Sequence, residues 1–362
     1  MLYLPSRIFF GENALTESEL YLIRLGTKPL IVTGKSSARL SGALDELIPI
    51  LKKAEQDYAI FDRVQENPSW DIVREGARFL KDAQCDYLIA IGGGSPIDAA
   101  KAMALIAANN LFEEENLSPD KFSHTLPLVA IPTTAGTGSE VTQYSVLTDT
   151  STGIKAGFGT ELAFPTLAIC NPRYTLSLNA TITLHTAIDA FSHLLEGIFS
   201  NKRQLLLYPL IQAGIEAIMK NLEVALNSPN NLQARTKLMQ AALYGGITIA
   251  QTGTTLQHSL GYPLTTHFGI SHGLSNAIVL RQVMEFYYPY IKEELDNLFS
   301  NLNITREDFE NWLDRFPLKA EFDLSEEFIE SHIAEVLASR NMANTPIKVK
   351  EEDIRKIYKS LK

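Results

Sequence analysis

The chain has 362 residues, of which 45% are hydrophobic and 20% are charged. This length exceeds what one hydrophobic core usually supports, so we expect two packed domains. The formal net charge of −10 disfavours binding to nucleic acid or to an anionic membrane. The sequence shows no signal-peptide pattern and no apolar run of the roughly 18 residues that a membrane span needs. We expect a cytoplasmic protein in which Cys85 and Cys170 are buried free thiols.

In the first half, short apolar segments alternate with longer segments of helical spacing. The apolar segments predict strands at Pro29–Thr33 and at residues 58–61, 87–91, 126–131 and 166–169. Residues 38–55 and 71–83 contain helix-forming residues with apolar positions three and four apart, and they predict helices. Regular alternation of strands and helices predicts an α/β domain in which helices cover a parallel sheet.

In the second half, helical patterns dominate and strand signals are almost absent. From about Thr183 onward, helices are predicted at residues 209–226, 231–252 and 273–286. The charged segment 301–362 predicts a helical surface cap. Because the pattern changes near residues 171–183, we expect an α/β domain at residues 1–178 and an all-helical domain at residues 179–362.

A glycine-rich segment, Gly92-Gly93-Gly94-Ser95-Pro96-Ile97-Asp98, follows a predicted strand and opens a predicted helix. Glycines allow the backbone to approach a ligand closely, and free N–H groups at a helix start favour a phosphate. Ser95 suits the N-cap and Asp98 the third helical position, which predicts a capping box. The alternative is a tight turn from strand to helix that binds no ligand.

A second glycine-rich segment runs from Pro132 to Glu140 and includes Thr133, Thr134 and Thr137. Two such loops at the ends of parallel strands suit a dinucleotide that lies across a crevice. Neither loop has the full G-x-G-x-x-G fingerprint, because Ile97 and Val141 occupy the positions of the third glycine. A dinucleotide site is therefore predicted without the usual Rossmann motif.

The segment Gly34-Lys35-Ser36-Ser37 follows the first predicted strand. It is not a P-loop, because Pro29 stands where that motif requires its first glycine. An acidic residue here would bind a ribose 2′-hydroxyl and repel a 2′-phosphate. A glycine, a lysine and two serines instead favour NADP over NAD. The alternative interpretation is a solvated lysine in an ordinary turn.

Asp189 and His193 stand four residues apart in a predicted helix. This spacing places both side chains on one face, one turn apart, where they can chelate one divalent ion. The alternative is an ion pair on the surface of the helix.

His258 and His272 are separated by Gly261, Pro263 and Gly269, so a single straight helix cannot connect them. A broken helix could direct both imidazoles into the site that Asp189 and His193 begin. One carboxylate and three imidazoles suit Fe(II), Zn(II) or Mn(II), with an open position for a substrate oxygen.

Together these motifs resemble the iron-containing, or group III, alcohol dehydrogenases, and the resemblance covers nearly the whole chain. It rests on residues 92–101 and 132–141, on Asp189-Ala190-Phe191-Ser192-His193, and on His258, Pro263, His272 and Gly273. It implies a dinucleotide-binding α/β domain followed by an all-helical domain, as in dehydroquinate synthase-like architecture. It also implies hydride transfer between a nicotinamide dinucleotide and a small alcohol or aldehyde, in what we expect to be a homodimer.

The resemblance also implies roles for individual residues. Fe(II), or alternatively Zn(II), would be held by the metal ligands Asp189, His193, His258 and His272. The dinucleotide would be bound by residues of the two loops and their neighbours, namely Gly93, Gly94, Ser95, Asp98, Thr133, Thr134, Thr137, Lys155 and Asn67. The Gly34-Lys35-Ser36-Ser37 segment is similar to that of members that use NADP, whereas members that prefer NAD often have an aspartate at the position of Gly34.

One position departs from the common family pattern. Many members have a second histidine four residues after the one that matches His258, and here that residue is Tyr262. A phenol has an ordinary pKa near 10, so it relays protons poorly at neutral pH. His267 is a possible replacement, and the sequence leaves its role open.

Two other functions remain open from the sequence. One is a non-redox enzyme of the dehydroquinate synthase type, which consumes and regenerates NAD within each cycle. Such enzymes usually have a basic pocket for an acidic substrate, and no cluster of Lys and Arg surrounds the metal motifs here. The other is a dinucleotide sensor without catalytic activity, which would have no need of the metal ligands.

Overall fold

The computed structural model describes residues 2–113 and 117–361. The strands in these residues are Arg7–Phe10 (β1), Pro29–Thr33 (β2), Ala59–Phe61 (β3), Tyr87–Gly92 (β4), Leu128–Pro132 (β5), Tyr144–Thr148 (β6), Lys155–Gly159 (β7) and Leu167–Cys170 (β8). The helices are Ala14–Leu22 (α1), Ser37–Leu40 (α2), Ala43–Lys53 (α3), Trp70–Asp82 (α4), Gly94–Asn109 (α5), Ala180–Phe199 (α6), Tyr208–Asn227 (α7), Leu232–Thr252 (α8), Leu256–Phe268 (α9), His272–Leu302 (α10), Arg306–Leu313 (α11), Glu326–Ala338 (α12) and Glu351–Lys359 (α13).

Six strands form one sheet in the order β1-β8-β5-β4-β2-β3, and every pairing in it is parallel. The predicted parallel α/β sheet is therefore confirmed. The central strands are apolar and buried on both faces, because helices cover each side. Apolar residues of α1 and α3 fill one side, and those of α4 and α5 fill the other. The carboxyl ends of β2, β4 and β5 consequently share one edge, where the glycine-rich loops begin.

Several features of the α/β half differ from the prediction. The edge strand β1 was missed, and so was the antiparallel hairpin of β6 and β7. The single helix predicted at residues 38–55 is instead two helices, because Gly42 adopts a left-handed φ of 80° between α2 and α3. The predicted capping box is also wrong, since α5 begins at Gly94 with Gly93 as its N-cap.

The second half is helical, as predicted, and α6, α7, α8 and α10 pack around one apolar core. α9 and α10 are separate helices, because Gly269 adopts a left-handed φ of 67° and ends α9. The predicted break between His258 and His272 is therefore confirmed. Cys85 and Cys170 are both buried and free. None of the described helices is long and apolar enough to cross a membrane. The domain boundary at residues 178 and 179 stays a prediction.

Candidate active site

Asp189 and His193 lie on the buried face of α6. The helix begins after Asn179, whose side chain accepts a hydrogen bond from the N–H of Ile182. Asp189 and His193 are only 2% and 3% exposed, so the alternative of a surface ion pair is wrong. A carboxylate at this depth requires polar or cationic partners.

His258 and His272 approach the same point from α9 and α10. The turn at Gly269 places His272 at the first position of α10, and its ring meets that of His258 edge to face at 5.1 Å. The ring of His193 stacks on His258 at 4.9 Å between centroids. Three helices that are distant in sequence therefore bring the four predicted metal ligands together.

The side-chain atoms of these residues converge closely enough to share one ion. The Oδ1 atom of Asp189 lies 3.8 Å from Nε2 of His193, 3.8 Å from Nε2 of His258 and 3.6 Å from Nε2 of His272. The Nε2 atoms of His193 and His258 are 3.1 Å apart. Ligands about 2.1 Å from a tetrahedral ion are separated by roughly 3.4 Å, so this spacing fits a divalent metal. One ligand atom from each of Asp189, His258 and His272 lies within 4.8 Å of the other two, and His193 is adjacent to Asp189 and His258.

The protonation of the cluster also suits a cation. Burial alone would raise the pKa of Asp189, but the three imidazoles and Asn276 hold it at about 2. Burial lowers the pKa of His193, and it holds the pKa of His272 well below its usual range. Burial also opposes the charge of His258, but Glu196 and Asp189 outweigh it and raise the pKa of this ring. Neutral imidazoles and an ionised carboxylate are the forms that bind metals. Lone pairs packed at these distances repel one another unless a cation or a proton donor lies between them.

Asn276 supplies donors to this cluster from one turn beyond His272. Its Nδ2 atom lies 3.1 Å from Oδ1 of Asp189 and 3.0 Å from Nε2 of His258. The side chain is fully buried, and Gln257 donates to its backbone carbonyl. This amide therefore helps to orient the Asp189 carboxylate.

Glycines allow the three helices to approach closely enough. A Cβ atom on Gly273 would lie 1.9 Å from the backbone oxygen of His185, so α10 can contact α6 only with glycine there. A Cβ atom on Gly261 would lie 2.4 Å from Oδ1 of Asn276, between α9 and α10. The ligand cluster thus depends on close helix packing.

A cleft of about 1120 Å³ opens above the cluster, between the carboxyl edge of the sheet and the helical half. Many of the sequence-predicted site residues line it, namely Asn67, Gly93, Gly94, Ser95, Asp98, Thr134, Thr137, Lys155, Asp189, His193, His258 and His272. The remaining predicted residues do not line it, namely Gly34, Lys35, Ser36, Ser37 and Thr133. Lys35 and Ser36 are exposed beyond the end of β2, and Thr133 is buried with its N–H donating to Gly92.

The two glycine-rich loops contact each other at one end of this cleft. A Cβ atom on Gly94 would lie 2.8 Å from the side chain of Thr137, and one on Gly93 would lie 3.3 Å from that of Thr134. Asp98 does not cap its own helix, because it accepts hydrogen bonds from the hydroxyl of Ser139 and the N–H of Val146. It therefore ties the first loop to the second loop and to β6.

Matches to known families agree with this geometry. Residues 5–172 match the family described as iron-containing alcohol dehydrogenase, and residues 183–362 match its C-terminal domain. The chain belongs to the iron-containing alcohol dehydrogenase family. It is similar to a crystal structure of an iron-containing alcohol dehydrogenase from Thermotoga maritima, with 40% identity and a TM-score of 0.90 over 100% of this chain and 99% of that one.

Two curated relatives in the family differ in coenzyme. The NAD-dependent methanol dehydrogenase of Bacillus methanolicus is 30% identical over 78% of this chain and 75% of its own length. The NADPH-dependent butanol dehydrogenase of Clostridium saccharobutylicum is 30% identical over 78% of this chain and 73% of its own length. The family thus supports iron and a nicotinamide coenzyme, but it does not decide between NAD and NADP.

Lys155 and Asn67 form a polar pair on the cleft wall of this family member. Nζ of Lys155 donates to Oδ1 of Asn67 at 2.7 Å, and Asn67 holds a left-handed φ of 53° in the turn before Pro68. Burial lowers the pKa of Lys155 to about 8, although Asp189 and Asp98 favour its charged form. Both residues therefore face the cleft from the hairpin side.

Tyr262, four residues after His258, lines the cleft. Its ring stacks on His272 at 5.8 Å, and Nζ of Lys155 lies 5.8 Å from the ring centroid. Burial raises the pKa of Tyr262 to about 12, so the phenol keeps its proton at neutral pH. His267 is exposed on the far side of α9, where it packs against Phe268 and His332. His267 therefore does not replace the missing histidine.

Several residues of the cleft wall were missed by the sequence analysis, namely Glu66, Tyr144, His185, Ser271, Arg340 and Asn341. Nδ1 of His185 lies 2.6 Å from the hydroxyl of Ser271, just before the ligand His272. His185 precedes Asp189 by one helical turn, so its spacing was a usable signal. Arg340 comes from the segment after α12, and nothing in the local sequence indicates that it reaches the cleft.

Proposed function

We propose that this protein is a metal-dependent dehydrogenase that transfers hydride between NADP(H) and a small alcohol or aldehyde. The observation that carries the proposal is the adjacency of two features. The cluster of Asp189, His193, His258 and His272 lies in the wall of the same cleft that the two glycine-rich loops line. A coenzyme that entered along the loops would meet a substrate bound near the cluster.

The donor set supports Asp189, His193, His258 and His272 as the ligands of one divalent ion. When bound, this ion would supply Lewis-acid stabilisation of the charge that develops on the substrate oxygen. Fe(II) is favoured by family membership, and Zn(II) is the alternative because it binds such ligands more tightly.

The chain's own residues would bind and orient the reactants. The backbone of Gly93 and Gly94 at the start of α5 suits the pyrophosphate, and Lys155 with Asn67 would orient the coenzyme. We propose that coenzyme binding is also supported by neighbouring residues of the two loops, namely Ser95, Asp98, Thr133, Thr134 and Thr137. Tyr262 holds a protonated hydroxyl beside His272, so it can donate a hydrogen bond to the substrate but not accept its proton.

The cleft favours a small and mainly apolar substrate. Phe268, Ile270 and Leu274, which flank His272 along the chain, line it with apolar side chains. Among the described lining residues, only Lys155 and Arg340 are lysine or arginine. This composition argues against the phosphorylated, acidic substrate that a dehydroquinate synthase-type enzyme would bind.

The preference for NADP is supported by the Gly34-Lys35-Ser36-Ser37 segment at the carboxyl end of β2. β2 pairs with β4, whose end carries the first glycine-rich loop, so the segment lies next to the coenzyme end of the cleft. Absence of an acidic side chain leaves room for a 2′-phosphate, and the exposed Lys35 and Ser36 offer donors. A homodimer in the cytoplasm remains our expectation.

The decisive experiment measures the absorbance of reduced nicotinamide in metal-stripped protein that is reloaded with Fe(II), with Zn(II) or with nothing. NADPH and NADH are each offered with a panel of short aldehydes. We expect metal-dependent oxidation that is faster with NADPH. Asp189→Asn protein serves as the control and should lose both metal and turnover. Binding of coenzyme with no oxidation under any combination would favour the non-redox enzyme or the sensor instead.

A further inference from the structure

Glu196 is a fully buried carboxylate that none of the proposed roles uses. It lies on α6 one turn beyond His193, in an otherwise apolar stretch, and it is 0% exposed. A carboxylate at this depth is costly unless hydrogen bonds satisfy both of its oxygens. Its partners therefore indicate why the residue is charged.

All partners of Glu196 lie at the start of α9. Oε1 accepts from the N–H of Thr255 at 2.7 Å and from its hydroxyl at 2.8 Å, and Thr255 is the N-cap residue of α9. The N–H of His258 points at the same oxygen from 3.4 Å. One oxygen thus caps α9, where a negative charge is favourable.

The second oxygen of Glu196 contacts the metal ligand itself. Nδ1 of His258 donates to Oε2, and the contact is short. With the proton held on Nδ1, Nε2 of the neutral ring carries a lone pair, and this lone pair faces Asp189 and His193. In the described part of the chain, Nδ1 of His193 and Nδ1 of His272 have no such partner. His258 is therefore the ligand whose tautomer a carboxylate fixes.

We propose that Glu196 is a positioning residue of the metal centre, which sets metal affinity by holding His258 in its metal-binding tautomer. The inference rests on the proposed metal site but not on the proposed reaction. A carboxylate behind a ligating imidazole fixes the ring and raises its basicity, and removal of such partners typically weakens metal binding by about 10- to 100-fold.

Glu196→Gln separates this role from the capping of α9. The amide oxygen can still accept from Thr255, but the amide nitrogen then faces Nδ1 of His258 as a donor. Nδ1 of His258 must then accept this hydrogen bond through a lone pair. The ring proton therefore moves to Nε2, where it prevents metal binding. The variant should keep the fold and lose affinity. Thr255→Val is the matched control, because it removes a hydrogen bond to Glu196 and leaves the bond to His258 intact.

The experiment measures the dissociation constant of Zn(II) by competition with a chromophoric chelator, together with the thermal midpoint of the metal-free proteins. We expect Glu196→Gln to weaken binding by roughly 10- to 100-fold while Thr255→Val stays near the wild type. Equal affinity of Glu196→Gln and wild type would overturn the proposal, whatever its thermal midpoint. A wild-type protein that binds no metal would instead refute the metal site on which the proposed function rests.

A second measurement tests the proposal even if the Glu196→Gln protein does not fold. Nitrogen NMR of the metal-free wild type, labelled at histidine, reports which ring nitrogen carries the proton. Assignment uses His258→Gln protein to identify the missing signals. We expect His258 to be protonated on Nδ1. A neutral ring that carries its only proton on Nε2 in the wild type would contradict the proposal, because Glu196 would then not determine the tautomer.

Discussion

Gly34 lies at the end of a parallel strand, where the identity of one residue can determine coenzyme preference. It follows β2 directly, and a Cβ atom there would lie in tight contact with the backbone oxygen of Val64. A carboxylate at this position would lie where the 2′-phosphate of NADP is expected and would repel it. Coenzyme preference should therefore respond to this residue alone.

We expect Gly34→Asp to lower the ratio of kcat/KM with NADPH to that with NADH by about tenfold or more, since a repulsion of about 1.4 kcal/mol corresponds to a factor of ten. Gly34→Ala is the control for the added Cβ atom, which would lie 3.2 Å from Val64 O. Steady-state kinetics with both coenzymes tests the change. An unchanged ratio in Gly34→Asp would mean that the ribose lies elsewhere.

Residues that share a helix face were predictable, and those that act from a distant element were not. Asp189 and His193 were found because a spacing of four marks one face of a helix. Glu196 continues the same buried face, and a lone carboxylate in an apolar helical run was the signal that could have revealed it. Asn276 carried no comparable signal, because its contact with Asp189 depends on how α10 packs against α6.

Packing between helices depends on glycines whose importance the sequence pattern did not indicate. Gly273 follows the proposed ligand His272, and the backbone of α6 at His185 occupies the space that a side chain would need. The neighbouring atom is a backbone oxygen, so it cannot turn aside as a flexible side chain could. Any larger residue must push α10 away from α6 and separate His272 from Asp189.

We expect Gly273→Ala to reduce both metal affinity and stability, with a loss of about 1–3 kcal/mol in the free energy of unfolding, as for overpacked cores. Gly269→Asn is the matched control, because Gly269 has open space around its Cβ position and asparagine tolerates its left-handed φ of 67°. Denaturant unfolding and zinc titration measure the two effects. Wild-type affinity in Gly273→Ala would show that the close approach of α10 to α6 is dispensable.

The sequence predicted all four inner strands of the sheet and the edge strand β3, but it missed the edge strand β1 and the hairpin of β6 and β7. β2, β4 and β5 are buried on both faces, so they are continuous apolar runs. β1 has a charged first residue and partly exposed side chains, and apolar and polar residues do not alternate regularly in the sequences of β6 and β7. The capping box failed because Asp98 bonds to Ser139 in the second loop, a partner that no local pattern can indicate.

The whole molecule joins two halves that would bind different ligands. Gln143 donates to the backbone of Ala250, and Tyr3 exchanges two hydrogen bonds with the side chain of Gln251. Arg340 lies over the ring of Tyr144 at 4.6 Å, so the segment after α12 contacts the hairpin of β6 and β7. The proposed metal ligands all come from the helical half, whereas the glycine-rich loops belong to the α/β half. We therefore expect a bound metal ion to stabilise mainly the helical half and a bound coenzyme to stabilise mainly the α/β half.

We expect added Zn(II) to slow amide hydrogen exchange mainly in α6, α9 and α10, because these helices carry the four ligands and a bound ion must be released before they separate. NADPH should instead slow exchange at the loops after β4 and β5. Mass spectrometry of peptides locates both effects, and Asp189→Asn protein should lose the response to zinc but retain that to NADPH. Uniform protection of the sheet by zinc would contradict the division, since it would mean that the two halves open as one cooperative unit.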